Sequence, residues 1–193
     1  MRGILRSLAL AILVPCLGFA AQKKHELTMS LDDRFVVSES EQWNVKVERI
    51  LPLRLADVRI TPKTGSAFDL TLYFKCDTPD LAQFDSPEKI EKSVRKSCEK
   101  YLPHIVEKHI EIKKLNVKGW YGCYTVFTDK DLAAAGTVPE GQFKFMTRGM
   151  IRLSPDSALG FSLMTNAVDT PTYKELLDYV YSFVKDKAVR RKP

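Results

Sequence analysis

The strongest constraint on the fold is an alternating pattern in the segment Ala67–Cys76. Apolar and polar side chains take turns along it, and a period of two is typical of a β-strand that is buried on one face. The apolar members are Phe68, Leu70, Leu72 and Phe74, and the polar members are Asp69, Thr71, Tyr73 and Lys75. This strand is therefore expected to leave one face of its sheet in contact with water.

Other segments with strand-like composition flank this one, and turn residues connect several of them in pairs. Thr64–Ser66 predicts a hairpin turn, and Ser154–Ser157 predicts a type I turn because Pro155 presets its second position. The predicted strands are two pieces within Lys24–Val37, then Gln42–Ile50, Val58–Pro62, Ala67–Cys76, His109–Val117, Trp120–Thr128, Phe143–Leu153 and Ala158–Thr165. Strands joined mostly in hairpins indicate an antiparallel sheet.

Two helix starts are recognisable from their capping residues. Ser86 followed by Pro87 predicts the first start, and Thr170–Pro171 predicts the second. An apolar stripe with helical spacing follows each start, and Pro103 is expected to end or bend the first helix. The stripes are Ile90, Val94, Cys98, Tyr101 and Leu102 in the first helix and Leu176, Leu177, Val180, Phe183 and Val184 in the second. The predicted fold class is α+β, a mostly antiparallel sheet covered by helices.

The amino terminus has the pattern of a secretory signal peptide. Arg2 and Arg6 precede an almost wholly apolar stretch that ends in the small-residue exit Gly18–Ala20. A membrane-spanning helix needs roughly 20 apolar residues, and Pro15 interrupts a stretch that is shorter than this. Residues 1–20 are expected to be removed after Ala20, which leaves one domain over 21–186 that is exported to the periplasm. Lipid attachment at Cys16 is the alternative, although a proline precedes that cysteine.

The 193-residue chain carries a formal net charge of +6. Export limits the classes of partner that this charge could attract. Nucleic acid is not expected as a partner outside the cytoplasm. Much of the surplus lies at the carboxyl end, in Lys185, Lys187, Arg190, Arg191 and Lys192. Residues 187–193 are predicted to be a basic flexible tail. The main interpretation is a solvated terminus, and contact with anionic lipid or polysaccharide is the alternative.

Three cysteines remain after signal-peptide removal, and an oxidising compartment favours the pairing of two of them. A bridge between Cys76 and Cys98 would join the first helix to the strand before it and contribute about 3 kcal/mol in the chain-entropy model. Cys76 with Cys123 is another pairing that the sequence allows. An unpaired Cys123 could serve as a nucleophile with His104 or His109 as base, although a buried cysteine in an apolar strand is the commoner case.

No set of residues in the sequence predicts a metal or cofactor site. His104 and His109 are five residues apart, a spacing that neither a helix nor a strand brings to one face. Aromatic residues are dense in the predicted strand Trp120–Thr128, and filling of the core is their default explanation. Trp120 and Tyr121 together with Arg148 form the candidate binding patch, because aromatic residues and arginine are enriched at interfaces.

The order of these elements is similar to that of the PsbP-like family, which is named for an extrinsic subunit of the photosynthetic oxygen-evolving complex. Gly160–Asn166 followed by Tyr173–Leu177 resembles the ending of small exported bacterial members of that family. The resemblance covers roughly Gln22–Lys185. It implies an α-β-α sandwich that acts as a binding or assembly accessory, and it carries over no catalytic residue.

Taken together, these patterns favour a non-enzymatic accessory protein of the bacterial envelope that binds another envelope protein or a small ligand. The hypothesis rests on a complete fold signal combined with the lack of a convergent catalytic set in the sequence. No cofactor and no membrane-spanning segment are expected, and a monomer is favoured. The alternatives are a small exported enzyme that uses Cys123, and a protein that binds anionic envelope surfaces through its basic tail.

Overall fold

The computed structural model describes residues 24–28, 34–50, 55–117 and 120–190. This part of the chain forms nine β-strands, two α-helices and two short 3₁₀-helices. The strands are β1 (Lys24–Thr28), β2 (Arg34–Ser38), β3 (Trp43–Ile50), β4 (Leu55–Pro62), β5 (Phe68–Cys76), β6 (Lys113–Val117), β7 (Trp120–Thr128), β8 (Phe145–Ser154) and β9 (Ser157–Thr165). The α-helices are α1 (Pro87–Cys98) and α2 (Pro171–Arg190), and the 3₁₀-helices are Pro79–Phe84 and Glu99–His104. The fold class is α+β, as predicted.

Seven of the strands form one antiparallel sheet in the order β3-β4-β5-β9-β8-β7-β6, while β1 and β2 pair separately. The sheet consists of two meanders, β3 to β5 and β6 to β9, which meet where β9 pairs with β5. This pairing places Phe161 opposite Leu72, so the apolar sets of both central strands point to the same side. The alternation in β5 is confirmed by its burial, because every second residue from Phe68 to Cys76 is buried.

The larger core lies between this apolar side and α2. Leu176, Val180 and Phe183 of α2 are buried against the central strands. The β1–β2 hairpin covers one end of the same core, where the Ser38 N–H donates to the Tyr179 hydroxyl at 3.1 Å. The α2 side of the sheet is therefore closed by a long helix and a hairpin.

The other side of the sheet is covered by α1, which packs mainly over β7 and β8, and by the 3₁₀-helix Pro79–Phe84, which contacts β9. Ile90, Val94 and Cys98 of α1 pack there with Cys123 and other residues in a second, smaller core. On β3, β4 and β5 the residues that point to this side are largely polar and exposed or half-buried, among them Asn44, Lys46, Glu48, Asp57, Arg59, Asp69 and Thr71. Neither α-helix therefore packs over β3 and β4 on this face among the described residues, and the 3₁₀-helix Pro79–Phe84 reaches only the edge of β5, where Lys75 pairs with Asp80.

Most of the predicted boundaries are confirmed to within a few residues, with four differences. Helix α1 ends at Cys98, before Tyr101 and Leu102 of the predicted stripe, because Pro103 has no N–H to continue the α-helical bonding and the chain forms the 3₁₀-helix Glu99–His104 instead. The fourth strand begins at Leu55 rather than Val58, and the sixth begins at Lys113 rather than His109. Helix α2 continues to Arg190, so the start of the predicted tail is helical. The predicted signal peptide, Cys16 and the last three residues lie outside the described residues.

Candidate functional site

A cleft of about 400 Å³ opens between α1 and the middle of the sheet. Its floor includes Ala158 and Gly160 of β9, and Ser93 and Ser97 of α1 form part of its wall. A cavity of this size can bury much of a small organic molecule, because ligand pockets commonly measure about 300 to 1,000 Å³. It is therefore the first candidate for a binding site.

The cleft exists because small residues face the edge of α1. A β-carbon built on Gly160 would lie 3.7 Å from Tyr73, so a methyl group would only touch its neighbour and the glycine leaves real space above the strand. Tyr73 borders this space and is 39% exposed, which is unusual for an aromatic ring in a central strand. The strand order creates the cleft by placing Tyr73 beside Gly160.

Arg148 of β8 supplies a cation at one end of the cleft. Its guanidinium donates to the Tyr101 hydroxyl at 2.7 Å and lies 5.6 Å from the centre of the Tyr101 ring. Among the described residues no carboxylate forms an ion pair with this half-buried side chain. Tyr101 therefore orients the guanidinium without neutralising its charge. The remaining N–H groups of Arg148 can donate hydrogen bonds to an anion.

Lys75 of β5 also lines the cleft, but its charge is already matched. Its ammonium forms an ion pair with Asp80 and lies 5.9 Å from the centre of the Phe84 ring. The hydrogen bond from Lys75 is the largest cause that lowers the pKa of Asp80. This pair fixes the 3₁₀-helix Pro79–Phe84 against the sheet, so Lys75 contributes more to the shape of the cleft than to its charge.

Asp57 of β4 lies at the opposite end of the cleft from Arg148. Partial burial raises the pKa of this carboxyl group, and the nearby carboxylate of Glu48 raises it further. No described cation contributes to lowering that pKa. A positively charged group placed here would therefore stabilise the ionised form of Asp57.

Of the two predicted patch residues whose side chains are described, Arg148 lines the cleft and Tyr121 does not. The Tyr121 hydroxyl donates to the Phe84 carbonyl oxygen at 3.2 Å, so this residue supports the 3₁₀-helix. Burial raises the pKa of Tyr121. Trp120 begins β7, and its side chain lies outside the described residues. The sequence analysis did not identify Asp57 or Gly160 as site residues. The one signal in the sequence that pointed to this face was the position of Tyr73 and Lys75 on the water-facing side of their strand.

The predicted bridge between Cys76 and Cys98 is not formed. Cys76 lies in the core beneath α2, whereas Cys98 lies in the core beneath α1, so the sheet separates the two thiols. The same separation applies to Cys76 and Cys123. Cys98 and Cys123 share one core and are free thiols.

Cys123 is a poor nucleophile in this environment. The side chain is 3% exposed, and burial is the main reason that its pKa rises to about 12. A thiol with that pKa holds its proton at neutral pH, whereas the thiolate is the reactive form. His104 and His109, the bases considered for it, are exposed to solvent.

The described residues contain no group of three or more His, Cys, Asp or Glu side chains placed to hold a metal ion. In the same part of the chain, none of the helices has the length and apolar character needed to cross a membrane. No protein-family model matches the chain, and comparison with the curated proteins finds no significant match.

Proposed function

We propose that this protein is a non-enzymatic, exported binding protein whose ligand occupies the cleft between α1 and the sheet. The observation that carries the proposal is the cleft of about 400 Å³, with an oriented guanidinium at one end and no ion-pair partner for it among the described residues. A largely apolar pocket with a few convergent polar groups is the usual form of a small-molecule site. A small ligand therefore suits this cleft better than a protein partner.

Export and family membership remain part of the proposal. Export is supported by the basic and apolar pattern of the first twenty residues. Membership of the PsbP-like family is supported by the antiparallel sheet with α1 and α2 on opposite sides, an arrangement that the resemblance implies. A fold resemblance carries little information about the ligand, which has to be argued from the cleft.

The burial of Cys123 weighs against the alternative of a thiol enzyme. Alkylation with iodoacetamide tests this alternative directly, because only a thiolate reacts rapidly. We expect the native protein to react much more slowly than the unfolded chain at neutral pH, measured by the mass gained over time. Rapid labelling of Cys123 in the native protein would favour the enzyme.

Native mass spectrometry of the protein purified without denaturant tests the binding proposal. We expect an additional mass that is lost on denaturation, and we expect Gly160→Leu to reduce its occupancy at least tenfold because the new side chain fills the cleft. Gly136→Leu is the matched control, since a β-carbon there has no atom within 4 Å. Equal ligand occupancy in both variants would show that the ligand binds outside the cleft. A wild-type protein without added mass, even after dialysis against a metabolite extract, would contradict the proposal.

A further inference from the structure

Two opposite charges lie at the two ends of the cleft. Asp57 is on β4 and Arg148 is on β8, and the strand order β4-β5-β9-β8 separates them by three steps across the sheet. Neighbouring strands are about 4.8 Å apart, so three steps cover about 14 Å. The residue of β8 in register with Asp57 is Met150, and Arg148 lies two residues further along that strand, so the two backbones are about 16 Å apart. Both side chains point to the α1 side, because Asp57 is opposite Tyr73 and Arg148 is opposite Ser162 in the register.

Neither charge has an opposite partner among the described residues. The contacts of Arg148 are to the uncharged Tyr101, and the charged group that influences Asp57 is the carboxylate of Glu48. By contrast, the other charged residues near the cleft are paired, Lys75 with Asp80, Arg59 with Asp69 and Glu48 with Lys46. Partly buried charges are costly when they are unmatched, so both ends of the cleft favour a ligand that supplies a counter-charge.

The surface between the two charges is apolar and aromatic. Tyr73 lies next to Asp57, with Gly160 and Met150 further along towards Arg148. An aromatic ring beside a carboxylate favours a ligand ammonium group, because the ring face attracts a cation and the carboxylate neutralises it. A guanidinium with uncommitted N–H groups favours a carboxylate, which it can bind through two parallel hydrogen bonds.

We propose that the ligand of the cleft is an elongated zwitterion, a short unblocked peptide, with its ammonium group at Asp57 and Tyr73 and its carboxylate at Arg148. This proposal rests on the proposed function and specifies its ligand class. The two side chains reach into the cleft from backbones about 16 Å apart, so the ligand charges are closer together than this. An extended tripeptide spans about 10 Å, which fits the available length.

The test uses the tripeptide Ala-Leu-Ala in unblocked, N-acetylated and C-amidated forms, with isothermal titration calorimetry on the full-length mature chain. We expect each blocking group to weaken binding at least tenfold, since it removes one charge from the ligand. In Arg148→Gln the unblocked and amidated peptides should bind equally. In Asp57→Asn the unblocked and acetylated peptides should bind equally. In each variant the ligand charge that has lost its protein partner no longer contributes to the affinity.

The same experiment separates this inference from the binding proposal. If both blocked peptides bind as tightly as the unblocked one, the proposal of a zwitterionic ligand is wrong. It is also wrong if amidation weakens binding and acetylation does not, because the ligand ammonium group then contributes nothing. It is also wrong if no peptide binds while the native protein still carries a mass that Gly160→Leu removes, and in that case the cleft remains the site. If 8-aminooctanoate binds as tightly as the tripeptide, the peptide assignment fails, because two charges at a suitable separation then suffice.

Discussion

At the scale of single residues, Arg152 shows how a charge can be buried for structural reasons. It is 6% exposed, and its guanidinium donates to the Leu81 carbonyl at 2.9 Å and to the Pro155 carbonyl. These bonds join the 3₁₀-helix Pro79–Phe84 to the turn between β8 and β9. The carbonyl oxygens would otherwise be left without these donors, so Arg152 stabilises the segment that carries the Phe84 edge of the cleft.

We expect Arg152→Met to lower the free energy of unfolding by about 3 kcal/mol, because the carbonyl of buried Leu81 loses a charged donor and the partly buried bond to the Pro155 carbonyl is lost with it. Arg59→Met is the control. Arg59 is 61% exposed and pairs with Asp69 at the surface, where such a pair contributes less than about 1 kcal/mol. Urea unfolding of the two variants gives the comparison. Equal losses would show that the burial of Arg152 does not determine its contribution.

The Cys123 thiol should make stability depend on alkaline pH. Its pKa is about 12 in the folded protein, whereas a cysteine in an unfolded chain titrates near its ordinary value of 9.0. Between these values the folded protein holds a proton that the unfolded chain releases, so stability is complete below about pH 9 and falls as the pH rises.

From about pH 8 to about pH 10.5 we expect Cys123 to contribute a loss of about 1 to 2 kcal/mol in unfolding free energy. Cys123→Ala removes this titration, so its stability should fall less over the same range than that of the wild type. Tyr179, whose pKa burial also raises to about 12, affects both proteins alike. Parallel curves for the two proteins would mean that the thiol is not desolvated.

At the scale of single elements, the start of α1 is determined locally. The Ser86 side chain accepts a hydrogen bond from the Lys89 N–H at 3.2 Å, and Pro87 occupies the first turn where no donor is needed. Basic residues Arg95 and Lys96 lie in the last turn, where they favour the carboxyl end of the helix dipole. These features explain why the helix was predictable from sequence alone.

We expect Ser86→Ala to destabilise the protein by about 1 kcal/mol, because the first turn loses its capping acceptor. Ser97→Ala is the matched control on the same helix: its hydroxyl donates to Val94 O within the helix, and alanine is the better helix former. Urea unfolding distinguishes the two substitutions. A Ser97→Ala protein that loses as much stability as Ser86→Ala would contradict the capping role.

Elements with a local signal were predictable, and features that depend on distant contacts were not. The strand predicted from His109 begins only at Lys113, because Ile110 is buried under α1 and its carbonyl accepts from Arg95 at 2.6 Å. Cys76 continues the apolar alternation of β5, so it points to the same side as Phe74. No pattern in the sequence indicates that α1, which carries Cys98, packs on the opposite side of the sheet. Likewise, the cleft exists because β9 inserts beside β5, a pairing of residues far apart in sequence.

At the scale of the whole molecule, the sheet divides the interior into two unequal cores. Among the described residues, the core on the α2 side has twenty-two buried apolar residues and the core on the α1 side has ten, and the cleft borders the smaller of the two. Regions with fewer buried apolar contacts open at a lower free energy than the rest of a protein. We therefore expect the α1 layer to open at a lower free energy than the sheet and α2.

Native-state hydrogen exchange tests this division. We expect amides of α1 to exchange through an opening at least about 2 kcal/mol lower in free energy than the opening that exposes β5, β9 and α2. Val94→Ala, in the smaller core, should lower the first value more than the second, whereas Leu72→Ala should lower both, because β5 belongs to the larger core. A ligand in the cleft contacts α1 and the sheet together, so it should raise the opening energy of α1 towards the global value. Identical exchange energies for both layers, with or without ligand, would mean that the molecule unfolds as one unit and that the α1 layer does not open separately.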